Sequence, residues 1–497
     1  MSSTTTTLEK RAASAAWWSA LEIIARYGVQ FVVMVVLAHL LAPSDFGLIA
    51  ILLIFTSIGI LLVDSGFGSA LIQRQTTTDD DETTVFIFTV TIGVAAAGTL
   101  VLFAPAISTF FNEPKLIKLL RAMAVVLPLG AFAAVPDALL TMKLNFKARA
   151  RAEVVASFCS GAVAVVLALR GFGVWSMAWQ SIVSIGVRGI LLWLYSGWRP
   201  RGHYRGASFC SLFGFGGYML LSGLLSVTAA RLQSVMIGKL FDSRTLGFYA
   251  MAQNTQSAPA SIMGQLLNRV GLPVFSTLVH DREKLTSALR TSLRIAMFLF
   301  VPSMMGIAVV AHPLIEMLYG ARWLPAAPIL SVLAAGAALW PVHVLNLAAI
   351  SAQGRSDLFF RLEVIKQIAG IVLVVAFAHW GPLAIAWSVL IAGLFSAALN
   401  THYSKKLLDY GWLAQLTDQW PTLLLSSVAV LVGWVVLRFH LTGPVNMIAA
   451  ITASATTYML LAILTKNKAL SELLSMLNAL FSDRLSRITA QKIDHVK

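Results

Sequence analysis

The chain has 497 residues, 58% of them hydrophobic and only 12% charged, with a mean hydropathy of +0.79. Soluble domains carry about 25% charged residues, so a chain of this length cannot cover its surface against water and must be solvated by lipid. The formal net charge of +15 has to be tested against the positive-inside rule before it is read as a nucleic-acid footprint.

A membrane-spanning helix with a short connection uses roughly 35 residues, which leaves room for about fourteen passes. Apolar segments run at 17–41, 46–70, 84–110, 116–140, 152–169, 174–195, 209–239, 246–271, 289–311, 326–350, 359–379, 382–400, 421–438 and 445–465. The first contains Glu22 and Arg26 and lacks a small-residue cleavage pattern, so it reads as a retained helix and not a cleavable signal. Cys159 and Cys210 lie in apolar stretches, and neither a disulfide framework nor a cysteine metal site is expected.

Lysine and arginine in the connections divide unevenly. One side holds 22, including Lys143, Lys147, Arg149 and Arg151, the group Arg199, Arg201 and Arg205, and the C-terminal tail; the other holds five, among them Lys115, Arg170 and Arg322. Both termini are therefore expected to be cytoplasmic, and most of the positive charge is a topology signal with no nucleic acid implied. The longest connection on the opposite face, around His312 to Pro325, is too short for an outer catalytic domain. After Lys468, Leu470, Leu473, Leu474, Leu477, Phe481, Leu485 and Ile488 recur at three- and four-residue steps, the pattern of an amphipathic helix on the inner leaflet.

The chain also repeats itself. Phe46-Gly47-Leu48-Ile49-Ala50 is echoed by Leu246-Gly247-Phe248-Tyr249-Ala250, Arg151-Ala152-Glu153-Val154 by Arg361-Leu362-Glu363-Val364, and Gly173, Ala178 and Trp179 by Gly381, Ala386 and Trp387. The expected fold is thus an all-α polytopic membrane protein: two homologous six-helix bundles plus two C-terminal helices around a central cavity. The lobes are placed at 1–205 and 206–405, helices thirteen and fourteen at 406–467, and a cytoplasmic amphipathic tail at 468–497.

An ionisable group inside the bilayer costs about 2.5–3.5 kcal/mol on insertion scales and so asks for a reason. Glu22, Arg26 and Gln30 share one helix face, as do Gln180, Ser184 and Arg188; Ser222, Ser226 and Arg231 mark the seventh segment. In the eighth, Asn254, Ser257, Ser261, Gln265 and Asn268 fall in one stripe with Arg269 beside it, and Asp64 closes the second. Arginine's fork suits phosphate and pyrophosphate oxygens, and the amide-rich stripe suits sugar hydroxyls. The candidate substrate-binding set is therefore Arg26, Arg188, Arg231, Arg269, Asn254, Gln265 and Asn268, with Glu22 and Asp64 as candidate ion-coupling carboxylates. Glu22 and the four arginines have plainer alternatives: Glu22 and Arg26 as a private ion pair, Arg188 as a snorkelling residue, Arg231 and Arg269 as interfacial charges. Glu153 with Arg149 and Glu363 with Arg361 read as local pairs, and His39 and His343 as hydrogen-bonded structural histidines. No phosphate-binding loop, HExxH or CxxC pattern is present, so no cofactor, catalytic residue or metal ligand is expected.

The stretch Leu40-Leu41-Ala42-Pro43-Ser44-Asp45-Phe46-Gly47, the following Asp64-Ser65-Gly66-Phe67-Gly68-Ser69-Ala70-Leu71-Ile72-Gln73, and Met317-Leu318-Tyr319-Gly320 with Trp323 resemble the Wzx-type flippases, the polysaccharide-transport branch of the MOP exporter superfamily. The resemblance covers nearly the whole chain, and 37–75 is similar to the colanic-acid and xanthan exporters. It implies a non-enzymatic transporter of the bacterial inner membrane that moves undecaprenyl-pyrophosphate-linked oligosaccharide repeat units for exopolysaccharide or lipopolysaccharide synthesis. It further implies a cationic cavity to which Arg26 and Arg231 best correspond, while the two duplicated lobes suggest alternating access, Glu22 and Asp64 suggest ion coupling, and a polymerase and copolymerase are the expected downstream partners. The competing expectations are a cation-coupled drug antiporter of the same superfamily, and a membrane glycosyltransferase or polymerase.

Overall fold

The computed structural model describes residues 28–64, 67, 68, 71, 77–439, 443–476 and 478; within helices, the backbone alone is described at 207–219, 221, 222, 225, 262, 263, 265–274, 356 and 443. Among the described residues there is no strand. In chain order the helices are α1 (Gly28–Leu40), α2 (Pro43–Asp64), α3 (Asp79–Phe111), α4 (Leu116–Met123), α5 (Val126–Met142), α6 (Phe146–Leu169), α7 (Val174–Ser196), α8 (Gly206–Leu240) and α9 (Ser243–Thr277). There follow α10 (Arg282–Tyr319), α11 (Ala326–Ala337), α12 (Trp340–Ala352), α13 (Ser356–Phe377), α14 (Pro382–Leu408), α15 (Trp412–Val436) and α16 (Gly443–Leu464), and a short α17 at 468–476. Among the described residues, ten spans formed by these helices are long and apolar enough to cross a membrane. Helices α9 and α13 fall outside that set, and each carries charged and amide side chains.

Local chemistry explains the ends and breaks. Thr78 and Asp81 form a reciprocal capping box at the start of α3, whose first turn holds Asp79, Asp80, Asp81 and Glu82, negative charge where the helix dipole favours it. Pro128 lacks the N–H that would continue α4 into α5, and Pro341 does the same between α11 and α12. Both pairs therefore cross as interrupted helices.

The chain divides between Met251 and Ala252 into two compact units. In the first, α2 packs on α3, α5 and α8, α3 on α5, and α7 on both α5 and α6. The connection from α7 to α8 is strapped to the start of α3. Trp198 Nε1 donates to Glu82 at 2.6 Å, His203 N to Asp80 at 2.7 Å, Gly202 N to Thr83 at 3.1 Å and Arg205 N to Thr84 at 3.0 Å. Arg205 adds an ion pair to Asp80 at 2.7 Å. The acidic run at 79–82 is thus a clamp for the following connection as well as a helix start.

The duplicated junctions meet inside this unit. A Cβ on Gly47 would overlap the backbone carbonyl of Ser243, and one on Gly247 the carbonyl of Pro43. Pro43 and Ser243 are equivalent positions in the repeat, as are Gly47 and Gly247, so the contact is reciprocal, the form that self-complementary packing of two related segments takes. Phe46, Leu48, Ile49, Leu246, Phe248 and Tyr249 are all buried around it. An aspartate caps each of the two helix starts: Asp45 accepts from Ala42 N at 3.2 Å, and Asp242 from Thr245 N at 2.7 Å.

In the second unit α10 packs on α11, α12, α15 and α16, and α14 on α11, α12 and α13. Its apolar core includes Phe275, Leu289, Leu293, Met297, Val301, Leu345 and Tyr410. A polar knot is buried alongside: Asn346 and Gln415 exchange amide hydrogen bonds at 3.0 and 2.8 Å, and Ser404 donates to Asn346 at 2.6 Å. The start of the tail packs on the protein. Leu470 and Leu473 of α17 pack against Phe298, Leu425, Tyr458 and Ala462, and Glu472 pairs with Arg294 of α10 at 2.8 Å. For its first two turns, then, the amphipathic segment docks on the protein; Leu477, Phe481, Leu485 and Ile488 lie outside the described residues.

Candidate functional site

The first unit contains a cleft of about 470 Å³ between α2, α3 and α8, walled by Ile54, Phe55 and Ile58, by Ala106, Ile107, Phe110 and Phe111, and by Leu232 and Val235. Among the described residues, Thr228 and Arg231 are its only polar lining side chains. The guanidinium of Arg231 is half-buried and donates through Nε to Ser57 Oγ on α2 at 3.2 Å. The same hydroxyl donates to the Ile54 carbonyl at 3.0 Å. An arginine in an apolar wall is costly unless polar partners reach it, and here Ser57 supplies one. Two turns further along α8, Lys239 donates to the Phe110 carbonyl at 2.7 Å and lies over that ring.

Arg188 stands in a second, different environment. Its Nη2 meets Asp137 at 2.8 Å and its Nε meets Glu153 at 2.9 Å, while Arg149 Nε meets the other oxygen of Asp137 at 2.7 Å. Four helical charges from α5, α6 and α7 thus cancel in one network whose side chains are 14–32% exposed. This corrects two sequence pairings: Glu153 is held by Arg188 while Arg149 turns to Asp137, and Glu363 pairs with Lys366 at 2.5 Å in place of Arg361. In the first case a helical neighbour lost to partners on adjacent helices because the tertiary contacts place the charges end to end. Asp137 is absent from the sequence candidates, although an aspartate between Pro136 and Ala138 in an apolar segment carries the same signal that singles out Asp64.

The network gives a stability prediction. Asp137→Asn leaves Arg149 and Arg188 to share one carboxylate. Breaking a buried pair costs about 3–5 kcal/mol; with about a quarter of each side chain exposed, solvent screening reduces the expected loss to about 2 kcal/mol. A thermal unfolding midpoint of the detergent-purified variant equal to that of the parent protein would show that the network contributes nothing.

Asp64 ends α2 and lies within electrostatic reach of Asp137. Asn254 is exposed on α9, its carbonyl accepting from Ser257 at 3.2 Å. Gln265, Asn268 and Arg269 sit on the same helix, with side chains outside the described set. Glu22 and Arg26 lie outside the described residues altogether. Of the two histidines read as structural, His39 bonds the Val35 carbonyl and His343 bonds Asn400. Among the described residues no group of His, Cys, Asp and Glu could hold a metal.

The family profile described as polysaccharide biosynthesis protein matches residues 36–328, more than half of the chain. The chain belongs to that family. The succinoglycan biosynthesis transport protein ExoT of Rhizobium meliloti is 27% identical over 476 residues, covering 93% of this chain and 94% of the relative. The lipopolysaccharide biosynthesis protein WzxC of Escherichia coli is 24% identical, covering 86% and 88%. The teichuronic acid biosynthesis protein TuaB of Bacillus subtilis is 22% identical, covering 94% and 98%. Among solved structures, the lipid II flippase MurJ in an inward closed conformation superposes with a TM-score of 0.75 at 14% identity, covering 91% of this chain and 99% of that one. An inward-facing multidrug transporter of the MOP superfamily gives 0.60 at 16%, covering 80% and 98%. The fold is therefore that of the MOP exporters, an all-α multi-pass membrane protein, as the resemblance at 37–75 implied.

Proposed function

We propose that this chain is a flippase for undecaprenyl-pyrophosphate-linked oligosaccharide repeat units, working by alternating access in a bacterial inner membrane. The observation that carries the reading is Arg231: one fixed guanidinium at a cleft whose only other polar lining side chain among the described residues is Thr228, in a family whose members serve polysaccharide biosynthesis. In this reading Arg231 and Arg26 grip the pyrophosphate with Arg269, and Asn254, Gln265 and Asn268 serve the glycan. Arg188 joins them only when cargo displaces Asp137 or Glu153, its present partners. Glu22 and Asp64 are the carboxylates assigned to a coupling ion, since an acid beside a cationic site can exchange partners as cargo binds.

Fourteen passes in the arrangement six, six and two, divided at 205 and 405, place both termini in the cytoplasm under the same proposal. Delivery to the outer leaflet then supplies a polymerase and its copolymerase, and the chemistry of the protein itself is transport, not sugar transfer.

The test is a deletion strain analysed for lipid-linked sugars. Accumulation of completed repeat units on the cytoplasmic side supports the assignment, and their sugar analysis names the cargo. Incomplete units would point to a glycosyltransferase, and a normal pool with altered drug susceptibility to an antiporter.

A further inference from the structure

We propose that Ser57 is a positioning residue that sets the way Arg231 presents its charge, and so selects a diphosphate head over a monophosphate. The proposal rests on the reading of Arg231 as the contact for the carrier's anion. A guanidinium can meet an oxyanion along two edges: side-on through Nε and one terminal nitrogen, or end-on through both terminal nitrogens. Here the Nε–H is given to Ser57 Oγ at 3.2 Å, which closes the side-on mode and leaves the end-on fork.

Ser57 can accept this bond because its own proton is committed. Its hydroxyl donates to the Ile54 carbonyl at 3.0 Å, so lone pairs face α8. The helices are held at the required spacing: Gly223, two turns before Arg231 on α8, lies against the Leu61 side chain one turn beyond Ser57 on α2. Among the described residues lining the cleft, only Thr228 offers another polar group, so no charged neighbour there competes for the guanidinium. An end-on fork spans two oxygens, and a diphosphate presents more such pairs, on two phosphorus atoms, than a monophosphate does.

The experiment uses the full chain in lipid nanodiscs, with undecaprenyl pyrophosphate and undecaprenyl monophosphate as probes. Ser57→Ala should weaken diphosphate binding roughly tenfold and monophosphate binding less, lowering the selectivity ratio, while Ser57→Thr restores it. In an Arg231→Lys background, where no Nε–H exists, adding Ser57→Ala should change neither affinity further, a non-additivity that a purely structural serine would not give. Wild-type selectivity in Ser57→Ala, or equal loss for both probes together with a lowered melting temperature, overturns the proposal. Wild-type binding in Arg231→Ala overturns the underlying reading instead, so the two failures are distinguishable.

Discussion

Replacing Arg231 by alanine should leave folded protein in the membrane and stop export. Among the described residues the side chain is the only charge lining its cleft, so its removal deletes the proposed anion contact without orphaning a buried partner: Ser57 keeps its bond to Ile54. A bidentate, charge-assisted contact in a desolvated slot contributes about 3 kcal/mol, or roughly a hundredfold in affinity. The measurement is complementation of the deletion strain, with membrane abundance followed in parallel. Arg231→Lys, which keeps the charge but loses the fork, should recover only part of the export. Full export by Arg231→Ala would remove the cleft from the mechanism.

A bulkier residue at Gly47 should produce the largest loss of stability. A Cβ there meets the Ser243 carbonyl, which is backbone and cannot rotate away. Overpacking typically costs about 1–3 kcal/mol, and a main-chain obstacle puts Gly47→Ala at about 3 kcal/mol and Gly47→Val beyond it. Gly247→Ala should behave alike, since its Cβ meets the Pro43 carbonyl in the reciprocal contact. Gly98 in α3 is the control: nothing lies within 4 Å of its would-be Cβ, and alanine there should be neutral or gain up to about 1 kcal/mol in helix propensity. Thermal unfolding of the purified variants decides. If Gly47→Ala and Gly98→Ala melt together, the interlocking of the two junctions is not a stability determinant.

Much of this molecule is legible in its sequence because a bilayer imposes simple rules. With no water to satisfy backbone groups, only helices and closed β-barrels can span, and continuous apolar runs of about 20 residues select helices. The run of apolar segments and the signature from Pro43 to Gly47 are therefore local statements, and they carried the fold and the family. Arg231 was legible for the same reason, since a charge among apolar neighbours stands out along one dimension. Its meaning was not. Ser57 is 174 residues away, and an ordinary serine on α2 gives no signal that it holds the guanidinium. Nor does sequence show that Arg188, which has the same residue type and the same apolar setting, spends its charge on Asp137 and Glu153.

Helix, membrane and family thus followed from residue types and their order, which hydrophobicity and backbone hydrogen bonding read one segment at a time. Which charge is neutralised and which faces an open cleft was decided only by the packing of α2, α3 and α8 in one place and of α5, α6 and α7 in another. Coulombic and hydrogen-bonding partners are chosen by distance in space, and helices far apart in sequence become neighbours only when the bundle closes.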